Sequence, residues 1–425
     1  MRFPSLFTAA LCAIGICTLH AQKLEISPTQ ALCDEVAILR ASGLRPNQAV
    51  TIQAVLVDSE GHHWSSQAEF AADSQGTVDV SRQAPFRGSY NEVSAMGLVW
   101  SMKPEDKDAM RYSPPRELGT QIIQFRLLDD GKSVAKAEYE QRKVADGVRQ
   151  IKVQGELHGV LFVPGANGPF PGVLVLGRGG APQELAAWLA SHGFAAFALA
   201  YFGYEDLPKD LEAIPLEYFG RALGWMGQRP EIIADRIAVL GNSRGGELAL
   251  QLASMYPHIS AVVAYVPANV RFGGDGARVP YAWTWQGHPL AYILPRRGLF
   301  DNPGAAMQAA IPVEKTHGPV LLISGDDDET WPSSMMANAL VIRLKGAHFQ
   351  YPIEHLSYPH AGHLAGRPEI VPAWHREVNR PFPGGTAKGD AESSLDAIPK
   401  VLEFLRTSLE TAAAAPNSLP NLSPN

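Results

Sequence analysis

Ile237-Ala238-Val239-Leu240-Gly241-Asn242-Ser243-Arg244-Gly245 leads from an apolar run into a G-x-S-x-G turn. The residues beyond it, from Glu247 to Tyr256, place Leu248, Leu252 and Met255 on one helical face. A strand that turns this sharply into a helix strains the backbone at its serine. A Cβ on either flanking residue would clash, so glycine is required there. Such a turn lifts Ser243 Oγ above the sheet, over a helix N-terminus that favours negative charge. The plain alternative is an ordinary strand-to-helix turn with a capping serine.

Outward from the turn, buried-type strands alternate with amphipathic helices. Strands are expected at Glu156–Val163, Pro171–Leu176, Phe194–Leu199, Ala261–Val266 and Val320–Ile323. Helices are expected at Pro182–His192 and Leu216–Arg229. Alternation of this kind predicts a mostly parallel, doubly wound sheet with helices on both faces. A serine so placed needs a base and an acid, and in an α/β-hydrolase domain the chain order is Ser, Asp or Glu, His. Past the strand ending at Ile323 stand Asp326, Asp327 and Asp328, among which spacing does not choose. Farther on, His355, His360 and His363 fall in a stretch read as a loop, with Pro359-His360-Ala361-Gly362-His363 as turn chemistry. His363 follows a glycine, which permits close approach to the serine. An oxyanion hole takes two backbone N–H groups. Arg244 supplies one, and the turn Gly177-Arg178-Gly179-Gly180 supplies the other, through Arg178 or Gly179. The Arg244 side chain is either a partner for a substrate carboxylate or folded back onto Glu247 or the 326–329 acids; the second is favoured.

Residues 23 to about 143 have a different pattern. Alternating runs such as Val50–Val57 and Gln121–Leu127 are punctuated by Asp58-Ser59-Glu60-Gly61, Asp73-Ser74-Gln75-Gly76 and Asp129-Asp130-Gly131. This predicts antiparallel strands in a small all-β sandwich. Arg2, the apolar run Leu6–Leu19 and Ala21 read as a cleaved signal peptide over 1–21, hence a secreted or periplasmic protein. The organisation expected is a leader at 1–21, a β-sandwich at 22–145, a catalytic domain at 146–411 and a disordered tail at 412–425. Residues 269–317, with Tyr281, Trp283, Trp285 and Tyr292 among prolines and glycines, are either a cap over a substrate entrance or a packed excursion. Net charge is −7 and no basic patch stands out, which argues against nucleic acid. Cys12 and Cys17 lie in the leader, so Cys33 alone remains, in an apolar setting that suits an inert thiol. His62-His63 is an adjacent pair poorly placed to chelate; no metal and no cofactor are expected, nor a stable membrane span.

Several blocks resemble the acyl-CoA thioesterase / bile acid-CoA:amino acid N-acyltransferase family. They are Gly88-Ser89-Tyr90 with Met96–Met102, Ala198–Pro208, Leu216-Glu217-Tyr218-Phe219, Ala310–Lys315 and Tyr358–His363. Together they span about 25 to 410. The resemblance implies a β-sandwich packed on an α/β-hydrolase domain and a Ser-Asp-His triad. Aligned on Gly325-Asp326-Asp327-Asp328-Glu329-Thr330-Trp331, it places the acid on Asp328 and the base on His363. It implies hydrolysis of acyl thioesters through an acyl-enzyme on Ser243. Family members that transfer the acyl group to an amino acid carry cysteine at this position. An exported carboxylesterase, an amide or peptide hydrolase, and an acyl transferase are the alternatives on the same residues. The partner expected is a small-molecule acyl thioester or ester.

Overall fold

The computed structural model describes residues 21–294, 302–376 and 383–411. All of the expected leader but its last residue, and the expected tail over 412–425, lie outside the described residues.

The N-terminal strands form two sheets. A 3-stranded sheet joins Lys23–Ser27, Ile38–Ser42 and Val78–Asp79. Opposite it lies a 7-stranded sheet built on Lys132–Arg142, Thr120–Asp129, Ala49–Val57 and His63–Ala71. Its two long hairpins turn at the Asp/Gly clusters expected to punctuate them, with Gly61 and Gly131 at φ 89° and 75°. Burial alternates strictly along Ala49–Val57, so Val50, Ile52, Ala54 and Leu56 face inward. That period of two is the signature of a sheet with one buried face.

The C-terminal half is built, among the described residues, on a sheet of 8 strands. They are β1 (Arg149–Val153), β2 (His158–Val163), β3 (Phe170–Leu176), β4 (Ala195–Ala200), β5 (Ile232–Asn242), β6 (Ala261–Tyr265), β7 (Val320–Gly325) and β8 (Ile353–Tyr358). Their spatial order is β1-β2-β4-β3-β5-β6-β7-β8. β1 and β2 run antiparallel to their neighbours, and every pairing from β4 onward is parallel. Among the described residues, helices α1 (Gln183–Ser191), α2 (Glu217–Gly227), α3 (Arg244–Ala253), α4 (Ser333–Gly346) and α5 (Ala387–Thr411) flank the sheet.

Side chains of β5 divide between two cores. Ala238 and Leu240 pack with Trp188 of α1 and Val401, Leu402 and Leu405 of α5. Ile237 and Val239 pack with Phe219 and Met226 of α2, Leu248 and Leu252 of α3, and Leu340 of α4. Buried on both faces, the central strands read as continuous apolar runs.

Strands at two places depart from the sequence reading, and one open alternative is resolved. The stretch expected to hold three histidines in a loop contains β8, and His355 lies in it. As an edge strand β8 is only half-buried and carries polar residues, so it lacks the apolar run of its neighbours. The strand expected at Glu156–Val163 is shorter at its start, and β1 precedes it as an unexpected antiparallel edge. The 269–317 stretch, in its described part, packs as an excursion: Trp283 is fully buried, and Trp283–Trp285 pairs with Ile214–Pro215 in a small sheet.

The two halves are joined by buried polar contacts. Asp34 Oδ2 accepts from Trp188 Nε1 at 2.9 Å and lies 2.7 Å from His192 Nε2. Lys143 Nζ pairs with Glu369 Oε2 at 2.5 Å. Cys33, beside this junction, is buried and free, and burial pushes its thiol up to about 12.

Candidate active site

β5 ends at Asn242 and α3 begins at Arg244, leaving Ser243 alone at the bend with φ 58° and ψ −119°. A non-glycine residue at positive φ is strained and persists only when its surroundings over-determine it. Those surroundings are visible in the flanking glycines. A Cβ on Gly241 would lie 2.0 Å from the Gly245 carbonyl oxygen, and one on Gly245 would lie 2.1 Å from that of Leu176. Ser243 N–H donates to Tyr265 O at 3.0 Å, and the Ser243 carbonyl accepts from Gly246 and Glu247 at 2.9 and 3.1 Å.

Ser243 Oγ stands 2.8 Å from His363 Nε2. His363 Nδ1 stands 2.8 Å from Asp328 Oδ2. The Asp328 side chain is fully buried, and its Oδ1 accepts from the backbone N–H of Thr330 at 2.9 Å and Trp331 at 3.3 Å. With a carboxylate at Nδ1, the imidazole carries its proton there and leaves Nε2 free to accept from the serine. Trp331 meets the imidazole edge-on, ring centres 4.9 Å apart, and is held by its Nε1–H to Val266 O at 3.1 Å.

The other acids and histidines singled out in the sequence go elsewhere. Asp326 Oδ1 accepts from Ser334 and Ser357 hydroxyls at 2.7 and 2.6 Å. The Asp327 carboxylate lies 3.3 Å from His360 Nδ1, on the surface. His355 Nε2 lies 2.8 Å from Ser324 Oγ, and burial pushes its pKa down.

Arg244 opens α3, so its N–H has no intrahelical acceptor, and it donates to no acceptor among the described residues. In the facing turn the Gly180 N–H donates to Phe202 O at 2.9 Å, and the Gly179 N–H is directed at the Tyr201 hydroxyl. Neither of the two expected donors in this turn, Arg178 and Gly179, makes a backbone–backbone hydrogen bond among the described residues. Tyr201, which lies in the Ala198–Pro208 block but is given no role there, anchors the turn by donating its hydroxyl to Gly177 O at 2.5 Å. The Arg178 guanidinium pairs with Asp275.

The Arg244 side chain turns away from Ser243 into the core. Its Nη1 pairs with Glu247 Oε2 at 2.6 Å, and its Nη2 donates to Phe272 O and Gly273 O, each at 3.1 Å. Glu247 is fully buried and also accepts from Trp283 Nε1 at 2.9 Å. Burial pushes its carboxyl up, with the Arg244 charge opposing. The residue that presents a candidate oxyanion donor therefore also pins the 269–293 excursion.

No helix among the described residues is long and apolar enough to cross a membrane. Among the same residues, His158, Glu205 and Asp206 bring ligand-type atoms within 4.8 Å of one another. His158 offers a different ring nitrogen to each carboxylate, and Lys152 Nζ sits 2.8 Å from Glu205, so charge pairing accounts for the cluster. A groove of about 2020 Å³ opens where β5 to β8 begin, at the opposite end of the sheet from Ser243, lined by Trp225, Tyr256, Pro319 and Phe404 among others.

The strand order and the serine bend after β5 define an α/β-hydrolase. Residues 34–155 match the family model described as the acyl-CoA thioester hydrolase/BAAT N-terminal region. Residues 214–279 and 291–411 match that of the BAAT / acyl-CoA thioester hydrolase C-terminal region. The peroxisomal succinyl-coenzyme A thioesterase of Mus musculus is 33% identical, over 90% of this chain and 96% of its own. Acyl-coenzyme A thioesterase 6 of Mus musculus is 31% identical over 94% and 99%. The mitochondrial acyl-coenzyme A thioesterase 2 of Homo sapiens is 31% identical over 92% and 85%. The chain belongs to the acyl-CoA thioester hydrolase/BAAT family.

Proposed function

We infer that this protein hydrolyses acyl thioesters of the acyl-coenzyme A type through an acyl-enzyme on Ser243. One observation carries the reading: the Ser243–His363–Asp328 series, with both contacts at 2.8 Å. The names of the relatives supply the substrate class.

His363 Nε2 takes the Ser243 proton as Oγ attacks the acyl carbonyl carbon. The oxyanion that forms accepts from the N–H of Arg244 and from an N–H of the facing turn, Arg178 or Gly179. Asp328 keeps the imidazole in the required tautomer and stabilises the imidazolium. Collapse expels the thiolate, which takes the proton from Nε2. A water then attacks the acyl ester, losing its proton to His363, and the free acid leaves as Ser243 Oγ takes that proton back from Nε2. Water is favoured over an amine as acceptor because an ester on serine resists aminolysis more than a thioester on cysteine would. The Arg244 guanidinium, committed to Glu247, is not available to an amino-acid carboxylate.

We take the sandwich and the catalytic domain to divide near 145/146, and 1–21 to be a leader that exports the enzyme. N-terminal sequencing of native protein is expected to begin near Gln22; an intact Met1 in a cytosolic fraction would overturn the export reading. For the function itself, the purified protein is given a panel of acyl-CoAs and matched simple esters, and kcat/KM is compared. Acyl-CoAs are expected to lead; a preference for oxygen esters would move the substrate class to that of a carboxylesterase.

A further inference from the structure

The residues just before α5 touch both loops that carry the base and its acid. Pro383 O accepts the His363 N–H at 2.8 Å, Thr386 N–H donates to His360 O at 2.8 Å, and Gly385 N–H donates to Asp327 O at 3.1 Å. Gly384 is bridged to Asp328 itself. No side chain fits between these backbones. A Cβ on Gly384 would lie 2.2 Å from Asp327 O, on Gly385 2.2 Å from Gly362 N, and on Gly389 2.1 Å from His360 O.

In the first turn of α5, Asp390 points back into the same place. Its Oδ1 accepts the Gly362 N–H at 2.8 Å, the amide next to His363. The residue is 4% exposed, and its Oδ2 is buried with no hydrogen-bond partner among the described residues. Helix capping does not explain the side chain, because Thr386 Oγ1 already accepts the Gly389 N–H at 3.0 Å. The helix behind Asp390 is seated in the core through Val401 and Leu405, both fully buried. Burial pushes the Asp390 carboxyl up to about 7, with the Gly362 N–H and Arg367 opposing and Asp328 adding to the rise.

We propose that Asp390 is a positioning residue of the hydrolytic site: through the Gly362 N–H it fixes the turn bearing His363, so that the imidazole meets Ser243 and Asp328 together. It contacts neither Ser243 nor any reacting atom. The inference rests on the reading above, in which His363 is the base for Ser243. An imidazole that must satisfy two contacts of 2.8 Å tolerates little backbone movement, and a displacement near 1 Å costs about a hundredfold in rate.

The test measures the rate at which a serine-directed fluorophosphonate labels the full-length protein, a readout independent of substrate identity, alongside kcat and KM for an acyl-CoA. Asp390→Ala is expected to slow labelling by about ten- to a hundredfold and to lower kcat with KM unchanged. Asp390→Asn, which keeps an acceptor for Gly362, is expected to restore both to within about threefold of the unaltered protein. If the alanine variant does not fold, Asp390→Leu, branched like Asp at Cγ and without an acceptor, replaces it. A folded Asp390→Ala or Asp390→Leu variant that labels at the unaltered rate would overturn the proposal, and so would an Asp390→Asn variant as slow as either. Ser243→Ala is run in parallel: if it labels as fast as the unaltered protein, the Ser243 reading itself fails, whatever Asp390 does.

Discussion

Replacing Asp328 by asparagine leaves the shape of the site intact and reverses one hydrogen bond. Asp328 Oδ1 is committed to two backbone donors, Thr330 N–H and Trp331 N–H. In Asp328→Asn the amide oxygen stays with those donors, which turns the NH2 group toward His363 Nδ1. The imidazole must then accept at Nδ1 and carry its proton on Nε2, the nitrogen 2.8 Å from Ser243 Oγ. A base already protonated on that side takes no proton from serine. The same exchange in a serine protease triad lowers kcat by about 10⁴, which corresponds to about 5.4 kcal/mol of transition-state stabilisation. A loss of that order is expected here, followed as thiol release from an acyl-CoA, with thermal melting as the check on folding. Asp326→Asn and Asp327→Asn are the controls. Asp326 bonds to hydroxyls and Asp327 to an exposed histidine, so each should stay within about fivefold, in line with a surface pair worth about 1 kcal/mol or less. A large defect in Asp327→Asn beside a near-normal Asp328→Asn would refute the reasoning.

Three further outcomes are expected from the same contacts. Glu247→Leu strands the Arg244 guanidinium in the core and should lower unfolding free energy by about 3–5 kcal/mol in urea titration; an unchanged midpoint would deny that the pair is buried. Asp390 has its folded pKa raised from 3.8 to about 7, so its contribution to stability is fully present below about pH 4 and is lost as pH rises through 7. Asp390→Asn should therefore gain on the unaltered protein between pH 5 and pH 8, by an amount on the order of a few kcal/mol, and equal melting differences at both pH values would contradict this. Cys33, buried with its thiol pushed up to about 12, should resist a thiol-specific reagent until the protein unfolds; rapid native labelling would show the site open.

The serine bend is legible in the sequence because its requirement is local: Gly241 and Gly245 are needed where backbones approach within the reach of a Cβ. The choice among Asp326, Asp327 and Asp328 is not legible from spacing. Three consecutive acids project in different directions, and only the fold past β7 decides which one faces His363; resemblance to a family supplies the answer. β8 passes for a loop because its half-buried alternation, with His355 and Ser357, resembles surface chain. α4 is hidden because Met335 and Ile342 lie on its exposed face, which blurs the apolar stripe. Pro399 inside α5 masks a 25-residue helix in the same way. The partnership of Arg244 with Glu247 is one of the two the sequence offers for that guanidinium, the other being the 326–329 acids. Its extension to Trp283 is not legible, because that contact joins residues 36 apart. The Gly384-Gly385 pair before α5 is the one local sign that another chain segment passes close by the base and its acid.

The central claim is an acyl group carried on Ser243. The most direct measurement mixes the protein with a radiolabelled acyl-CoA, quenches in acid within milliseconds, and maps the label by peptide mass spectrometry. An acyl ester is expected on the peptide containing Ser243, formed at least as fast as turnover and absent in Ser243→Ala. Turnover without any labelled peptide, or label on another residue with Ser243→Ala still active, would contradict it.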